Sequence, residues 1–270
     1  ETMMGCNLHC DMCPVPDSRA KMNGRKAVAM SLTTFEKILE EISDRPRCLH
    51  LNQMGEPLLN KNLSLFIRLA KKRGHYVSLT SNGALLTREL STSLINSGID
   101  KIIFSVDGCE ADTYESIRKG AVYEKTRSNI ELFCELKNSS RHYVDVQIDC
   151  ILSDLTRDQI PAMQKFWLGK IDHFNVIPLN DWGGNFELPE RFGTSTYAGY
   201  IEEKRYPCSL LWDTLAISAE GNLMYCCHDY CLLSRLPNVN DVPLRKIWRD
   251  FVSQERKKHV LGKIDCQPCL

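Results

Sequence analysis

The sequence predicts an α/β fold, six βα units wound into a partial barrel, with a small cysteine-rich unit after them. Short β-branched or apolar runs alternate with amphipathic helical stretches between Ser31 and Pro178. That alternation breaks at NDWGGNF, Pro189, Gly193 and Gly199. Cysteines gather near both ends, in CNLHCDMC at residues 6–13 and in CCHDYC and CQPC beyond residue 225.

The elements follow in order. SLTTFEKILEEISD, residues 31–44, sets Phe35, Ile38, Leu39 and Ile42 at i, i+3, i+4 and i+7, and Thr33 and Glu36 are spaced as a capping box, so an amphipathic helix is expected. A strand over 47–54, a helix over 62–73 stopped by Gly74, and a β-branched strand over 76–80 come next. A helix ending at Gly98, a strand over 99–106, a helix over 123–137, a strand over 143–152, a helix over 159–168 and a strand over 173–178 continue the pattern. The first of the six strands lies before Gly5. Regular βα alternation implies a parallel sheet with right-handed crossovers, whose chemistry sits on loops after the carboxyl ends of the strands. The expected division is a barrel over 1–180, a connector over 181–206 and a cysteine-rich unit over 207–270. In that last unit, 211–218 and 223–226 flank the turn Ala219-Glu220-Gly221-Asn222 as a hairpin, and Leu244, Ile247, Trp248, Phe251 and Val252 form one apolar helix face.

Composition narrows the function classes. With 43% hydrophobic and 25% charged residues, the chain is ordinary for a globular protein, and no apolar run is long enough to span a bilayer. Lys plus Arg and Asp plus Glu both total 34, so no net basic field draws the chain to nucleic acid or anionic lipid, and a small molecule or peptide is the expected partner. The sequence opens at Glu1 without a visible targeting segment, and a cytoplasmic location is expected. Cysteine numbers 13, an odd count in close groups, which favours metal ligation over a secreted disulfide framework.

In CNLHCDMC, Cys6, Cys10 and Cys13 fall within eight residues on the loop after the first strand, close enough to ligate three irons of one cubane cluster and leave the fourth iron open. A zinc site completed by His9 or a distant cysteine has the same local spacing. The triplet is followed by GEP at Gly55 to Pro57 after the second strand, SNG at Ser81 to Gly83 after the third, and SVDG at Ser105 to Gly108 after the fourth. Together these motifs resemble the CxxxCxxC signature and companion motifs of the radical S-adenosylmethionine superfamily. The resemblance implies a partial (βα)6 TIM-like barrel whose radical-initiating [4Fe-4S] cluster, on Cys6, Cys10 and Cys13, binds S-adenosylmethionine at its open iron. It implies that Gly55, Glu56 and Pro57 accept hydrogen bonds from the cofactor's amino group through backbone carbonyls and the Glu56 carboxylate. Ser81, Asn82, Ser105 and Asp107 are implied to reach the ribose or the methionine carboxylate. Arg118, in YESIR, is placed like the family arginine that pairs with that carboxylate; a helix-surface arginine is the other reading. Met12 stands where the family usually sets an aromatic residue beside the adenine, which implies looser packing by a flexible thioether.

A second constellation comprises Cys208, twelve residues, Gly221, four residues, Cys226, and then Cys266 and Cys269 separated by two. It resembles the opening of SPASM and twitch domains, and so implies an auxiliary [4Fe-4S] cluster on Cys208, Cys226, Cys266 and Cys269. A four-cysteine zinc site shares the spacing. Cys227 and Cys231 either ligate a further cluster or are buried thiols, and Cys48 and Cys134 are expected in the core.

The resemblance extends to aminocyclitol and aminoglycoside radical dehydrogenases and epimerases of antibiotic biosynthesis. It implies that the chain generates a 5'-deoxyadenosyl radical and abstracts hydrogen from a C–H bond of a small polar natural product, a sugar or aminocyclitol, giving oxidation or epimerisation. The alternative is a maturase that modifies a side chain of a ribosomal peptide or protein. A reductant such as flavodoxin or ferredoxin is the implied partner. Cys150, near the carboxyl end of the fifth strand in DVQIDCIL, is the candidate catalytic thiol for epimerisation. The other reading makes it a core cysteine alternating with Val144, Val146 and Ile148, with Asp149 structural on the opposite face.

Overall fold

The computed structural model describes residues 1–15, 26–42, 44–182, 186–193 and 207–263. Five parallel strands, β3 (Cys48–His50), β4 (Tyr76–Ser81), β5 (Lys101–Ser105), β6 (Asp145–Leu152) and β7 (His173–Pro178), form one sheet in sequence order. Between and around them run α1 (Leu32–Glu41), α2 (Leu63–Lys72), α3 (Arg88–Asn96), α4 (Ala111–Ile117), α5 (Tyr123–Asn138) and α6 (Ile160–Trp167). The α/β class and its parallel sheet are therefore as expected. The expected first strand is reduced to β1 (Met3–Met4), which pairs antiparallel with β2 (Val28–Ala29) outside the parallel ladder. It lies against the β3 end of the sheet all the same, because Thr2 Oγ1 donates to the Leu51 carbonyl at 2.6 Å and the Glu56 N–H to the Gly5 carbonyl at 2.8 Å.

Strand alternation sorts the two faces of the sheet. Val77, Leu79, Ile102, Phe104, Val146, Ile148 and Cys150 are all 0% exposed and belong to the face that the helices cover. Phe104, for instance, meets Phe133 of α5 edge-on with ring centroids 5.6 Å apart. The opposite, polar face leaves Ser105, Asp149 and Asn175 as one in-register row at the carboxyl edge. β3 is shorter than the expected 47–54 because Asn52 leaves the ladder: its side-chain Oδ1 takes the Thr80 N–H at 2.9 Å.

Two further expectations change, and one helix was not expected at all. The cap of α1 is Ser31, whose Oγ accepts the Thr34 N–H at 3.1 Å, so Thr33 lies inside the helix. α4 had no periodic apolar pattern to announce its seven residues. Cys48 is exposed, while Cys134 is buried.

After the barrel, α7 (Leu210–Asp213), β8 (Ala216–Ile217) and β9 (Leu223–Met224) begin the cysteine-rich unit. The hairpin turns at Gly221, whose φ of +91° and a would-be Cβ 2.8 Å from Asn238 Oδ1 leave room only for glycine. The last helix runs as α8 (Leu244–Lys246), a π-helical stretch Ile247–Val252 and α9 (Ser253–Val260). That wider turn keeps Leu244, Ile247 and Val252 buried but rotates Phe251 outward to 37% exposure, so the expected apolar face loses one member. The unit docks on the barrel through α1 and the N-terminus: Lys37 Nζ donates to the Asn240 carbonyl at 2.7 Å, the Leu244 N–H to Glu41 at 2.5 Å, and the Ala219 N–H to Glu1 at 2.9 Å. Most of the expected connector, and Cys266 and Cys269, lie outside the described residues. Among the described residues no helix is long and apolar enough to cross a membrane.

Candidate functional site

The cluster loop, the GEP loop and the SNG loop converge at the carboxyl edge of the sheet. Gly55 has φ +96°, and a Cβ there would sit 2.6 Å from the Gly5 and Met3 carbonyl oxygens, so this backbone closes directly on the first strand. Glu56 is 2% exposed and fully engaged. Its Oε1 accepts from the Leu58 N–H at 3.0 Å and Ser81 Oγ at 2.8 Å, and its Oε2 from the Asn82 N–H at 2.8 Å. Burial pushes the Glu56 carboxyl above the usual range, and these three donors offset part of that rise. The side chain thus ties the GEP and SNG loops together.

Asn82 extends the network to the cysteine triplet. Its Nδ2 donates to Asn7 Oδ1 at 3.0 Å and lies 3.6 Å from Cys6 Sγ, which also takes the Leu8 N–H at 3.4 Å. On the other flank, Arg118 reaches Asp107 Oδ2 through Nε at 2.8 Å and through Nη2 at 2.5 Å, and its charge also acts on the Cys10 thiol. Burial opposes the Arg118 charge, but Asp107 and Cys10 outweigh it and hold its pKa above the ordinary arginine value. Asp107 Oδ1 in turn accepts the Ile151 N–H at 2.7 Å, so this pair locks the loop after β5 to β6. Met12 and Pro57 are buried at the same end, and Ser105 is half-buried in its row beside Asp149.

The chain also holds the cluster loop from outside, through residues that no local motif announced. Asp11 Oδ2 takes Lys119 Nζ at 2.8 Å and Arg191 Nη2 at 2.7 Å, and the His9 N–H donates to the Lys119 carbonyl at 2.8 Å. Across the mouth, Gln53 Nε2 donates to the Cys227 carbonyl at 3.1 Å, Asn180 Nδ2 lies 3.3 Å from His228 Nε2, and Trp182 meets the rings of His228 and Tyr230 edge-on. Only tertiary packing brings these partners together, so spacing held no trace of them.

Do these residues fit a cluster? Cys6, Cys10 and Cys13 are all free thiols, and burial pushes Cys6 up to about 11 and Cys13 up to about 12. Uncoordinated, they stay protonated near neutrality; bound to iron, they are thiolates whose charge the Arg118, Asn82 and Leu8 donors stabilise. Among the described residues no three His, Cys, Asp or Glu side chains converge on a single ion. A cubane asks instead for one thiolate per iron around a shared core. The donor set fits. In the second unit, Cys208 is exposed and Cys226 buried, and burial pushes the Cys226 thiol up to about 12, with Cys227 and Cys208 near enough to add to the rise.

Cys150 lies near enough to Asp107 and Arg118 to feel their charges, yet it is packed away from the open face of the sheet. It is 0% exposed on the helix side of β6, with Sγ 3.8 Å from Met163 Sδ of α6. Period-two alternation puts it with Val146 and Ile148 and sends Asp149 to the open face, where Gln147 Nε2 donates to Asp149 Oδ1 at 2.6 Å. Cys150 thus packs in the core on the helix side of β6, and Asp149 stands on the opposite face.

Residues 1–147 match the Radical SAM superfamily, and residues 208–270 match SPASM, an iron-sulfur cluster-binding domain. The tungsten-containing aldehyde ferredoxin oxidoreductase cofactor-modifying protein of Pyrococcus furiosus is 25% identical over 207 residues, 73% of this chain and 54% of that protein. A GTP 3',8-cyclase of Desulforamulus reducens is 29% identical over 198 residues, 68% of this chain and 58% of its own. The chain therefore spans little more than half the length of these relatives. Among solved structures, Streptococcus suis SuiB bound to precursor peptide SuiA superposes with a TM-score of 0.73 at 15% identity, covering 93% of this chain and 63% of SuiB. BtrN in complex with AdoMet and 2-DOIA gives 0.63 at 20% identity, covering 96% of this chain and 84% of BtrN. At these identities the two structures establish a shared fold. The sequence match, the parallel sheet and the converging loops agree: this chain belongs to the radical S-adenosylmethionine superfamily, with S-adenosylmethionine and iron-sulfur clusters as its cofactors and a SPASM domain after the barrel.

Proposed function

We propose that this enzyme oxidises a C–H bond of a small polar substrate, of the amino-polyol class, held against the open face of the sheet. When bound, the clusters and S-adenosylmethionine supply one-electron chemistry: reductive cleavage to a hydrogen-abstracting radical, and a sink for the second electron. Cys6, Cys10 and Cys13 hold the first cluster, and Cys208, Cys226, Cys266 and Cys269 the auxiliary one. Glu56, Ser81 and Asn82 fix the loops that receive the cofactor, with the Gly55 and Pro57 backbone as acceptors for its amino group. Asp107 and Arg118 orient Cys10 and the loop after β5, while Met12 and Ser105 border the cofactor. Asp149, between Ser105 and Asn175, accepts a substrate hydroxyl or ammonium at Oδ2 and takes the proton released on oxidation. Its carboxyl pKa is raised by burial, which suits a proton acceptor.

The placement of β6 carries the choice between outcomes. Epimerisation needs a hydrogen donor at the substrate, and Cys150 lies buried against Met163 instead. Reconstituted anaerobically and given S-adenosylmethionine, dithionite and a panel of aminocyclitols and amino sugars, the enzyme should release 5'-deoxyadenosine and a product two hydrogens lighter. Cys150→Ala should retain that turnover. A product of unchanged mass with an inverted centre, or turnover confined to peptides, would overturn the reading.

A further inference from the structure

A nucleophile, a base and an orienting hydroxyl meet at the amino edge of the sheet, opposite the loops that carry the cluster cysteines. Cys48 pairs in register with Tyr76, the first residue of β4, and His50 with Ser78. Alternation sets Cys48 and His50 on one face of β3. Cys48 Sγ lies 3.5 Å from His50 Nε2, and His50 Nδ1 lies 2.5 Å from Ser78 Oγ. With the ring proton on Nδ1 and donated to Ser78 Oγ, the Nε2 lone pair faces the Cys48 thiol. Ser78 is 1% exposed, so its hydroxyl is a fixed partner that holds the imidazole plane. A thiol beside a base that a third group orients has the geometry of an activated nucleophile.

Exposure separates Cys48 from the other barrel thiols. Cys134 and Cys150 are buried, and Cys109 is half-buried with its Sγ 4.0 Å from the Gln159 carbonyl oxygen, which is no base; Cys48 is exposed. Desolvation and the Asp100 charge push the Cys48 thiol above its ordinary value, so it is protonated near neutrality and must give up that proton as it reacts. Desolvation also lowers the pKa of His50, so a neutral imidazole stands beside the thiol to take the proton. Lys71, paired with Asp100 at 2.6 Å, damps the charge of that carboxylate.

We propose that Cys48 is a site of reversible thiol modification, with His50 as general base and Ser78 as its positioning residue, and that the reactant is a low-molecular-weight disulfide. The Cys48 proton passes to His50 Nε2 and the sulfur attacks one sulfur of the disulfide, whose S–S bond breaks as the protein mixed disulfide forms. The leaving thiolate takes the proton from His50, so one thiol and one disulfide are consumed and one of each is formed. Cys48 is a free thiol whose hydrogen-bond partner is an imidazole and not a second cysteine, so an incoming disulfide adds to it instead of closing a bridge within the chain. This chemistry is separate from C–H oxidation at the other edge of the sheet.

Oxidised glutathione serves as the probe. The anaerobically reconstituted holoenzyme, freed of added thiol, is incubated with it near neutral pH and its peptides are resolved by mass spectrometry. Trypsin releases residues 48–61, in which Cys48 is the only cysteine. This peptide should gain a glutathionyl group ahead of those that hold Cys109 and Cys227, and dithiothreitol should remove it. His50→Gln should slow the gain by about tenfold or more. Ser78→Ala should slow it less, and Ser78→Thr, which keeps the hydroxyl, should restore most of it. Amide-exchange protection across β4 and β5 reports whether each variant is folded. The urea-unfolded wild type gives the unassisted rate, which the folded wild type should exceed whatever becomes of the variants. An undiminished rate in folded His50→Gln, a wild-type rate no faster than that of the unfolded chain, or a Cys48–Cys48 bridge between two copies would overturn the proposal.

Discussion

The barrel and the cysteine-rich unit are stabilised in different ways. The sheet rests on a broad apolar layer in which Phe66, Ile67, Leu79, Phe104, Phe133 and Ile148 are all 0% exposed. The second unit gathers Leu223, Leu236, Val239, Leu244 and Ile247 around two strands of two residues each. A core that small does not hold a fold against chain entropy without help. Its help comes from α1, from the N-terminus and from cysteine ligands, so the barrel is expected to be self-supporting and the second unit coupled to its metal.

The sharpest way to break that comparison is to remove iron. Chelation, or Cys226→Ser, should collapse amide-exchange protection across residues 216–247 while β4, β5 and β6 keep theirs; equal loss in both regions would erase the distinction. Next in size, Phe104→Ala should cost about 3–5 kcal/mol in denaturant unfolding, because its ring fills the layer against Phe133. Glu56→Gln should cost about 1–3 kcal/mol, since the amide cannot accept all three hydrogen bonds, and it should slow cluster loading as the SNG loop loosens.

The smallest effect concerns Asp172, which joins Lys137 at the end of α5 to the Val146 N–H. Burial pushes its carboxyl pKa up, but the Lys137 and Val146 hydrogen bonds outweigh that and hold it below the usual range. A depressed folded pKa contributes stability above the unfolded value, and this is lost as pH falls through the folded one. Asp172→Asn should therefore cost about 1 kcal/mol at neutral pH and flatten the acid limb of the stability profile. An unchanged acid limb would assign that limb to other carboxylates.

What the sequence made legible follows the same divide. Short motifs and period-two or helical patterns are local, so CNLHCDMC, GEP, SNG, SVDG and the parallel α/β order could all be read directly. Alternation grouped Cys150 with Val146 and Ile148 but did not say which face the helices cover, and only the folded sheet shows that this set lies on the helix side. Ser31 and Thr33 are both capping residues, and only the Thr34 hydrogen bond separates them. The π-helical turn that exposes Phe251, and the Asp11–Lys119–Arg191 and Asn82–Cys6 links, depend on chain segments brought together by folding.

Iron counting tests the central claim most directly. Metal analysis and Mössbauer spectroscopy of the anaerobically reconstituted wild type should give about eight irons per chain as cubane clusters, and the Cys6→Ala/Cys10→Ala/Cys13→Ala variant about four. The variant should also lose S-adenosylmethionine binding. Zinc in place of iron, or a triple variant that keeps every iron, would contradict the account.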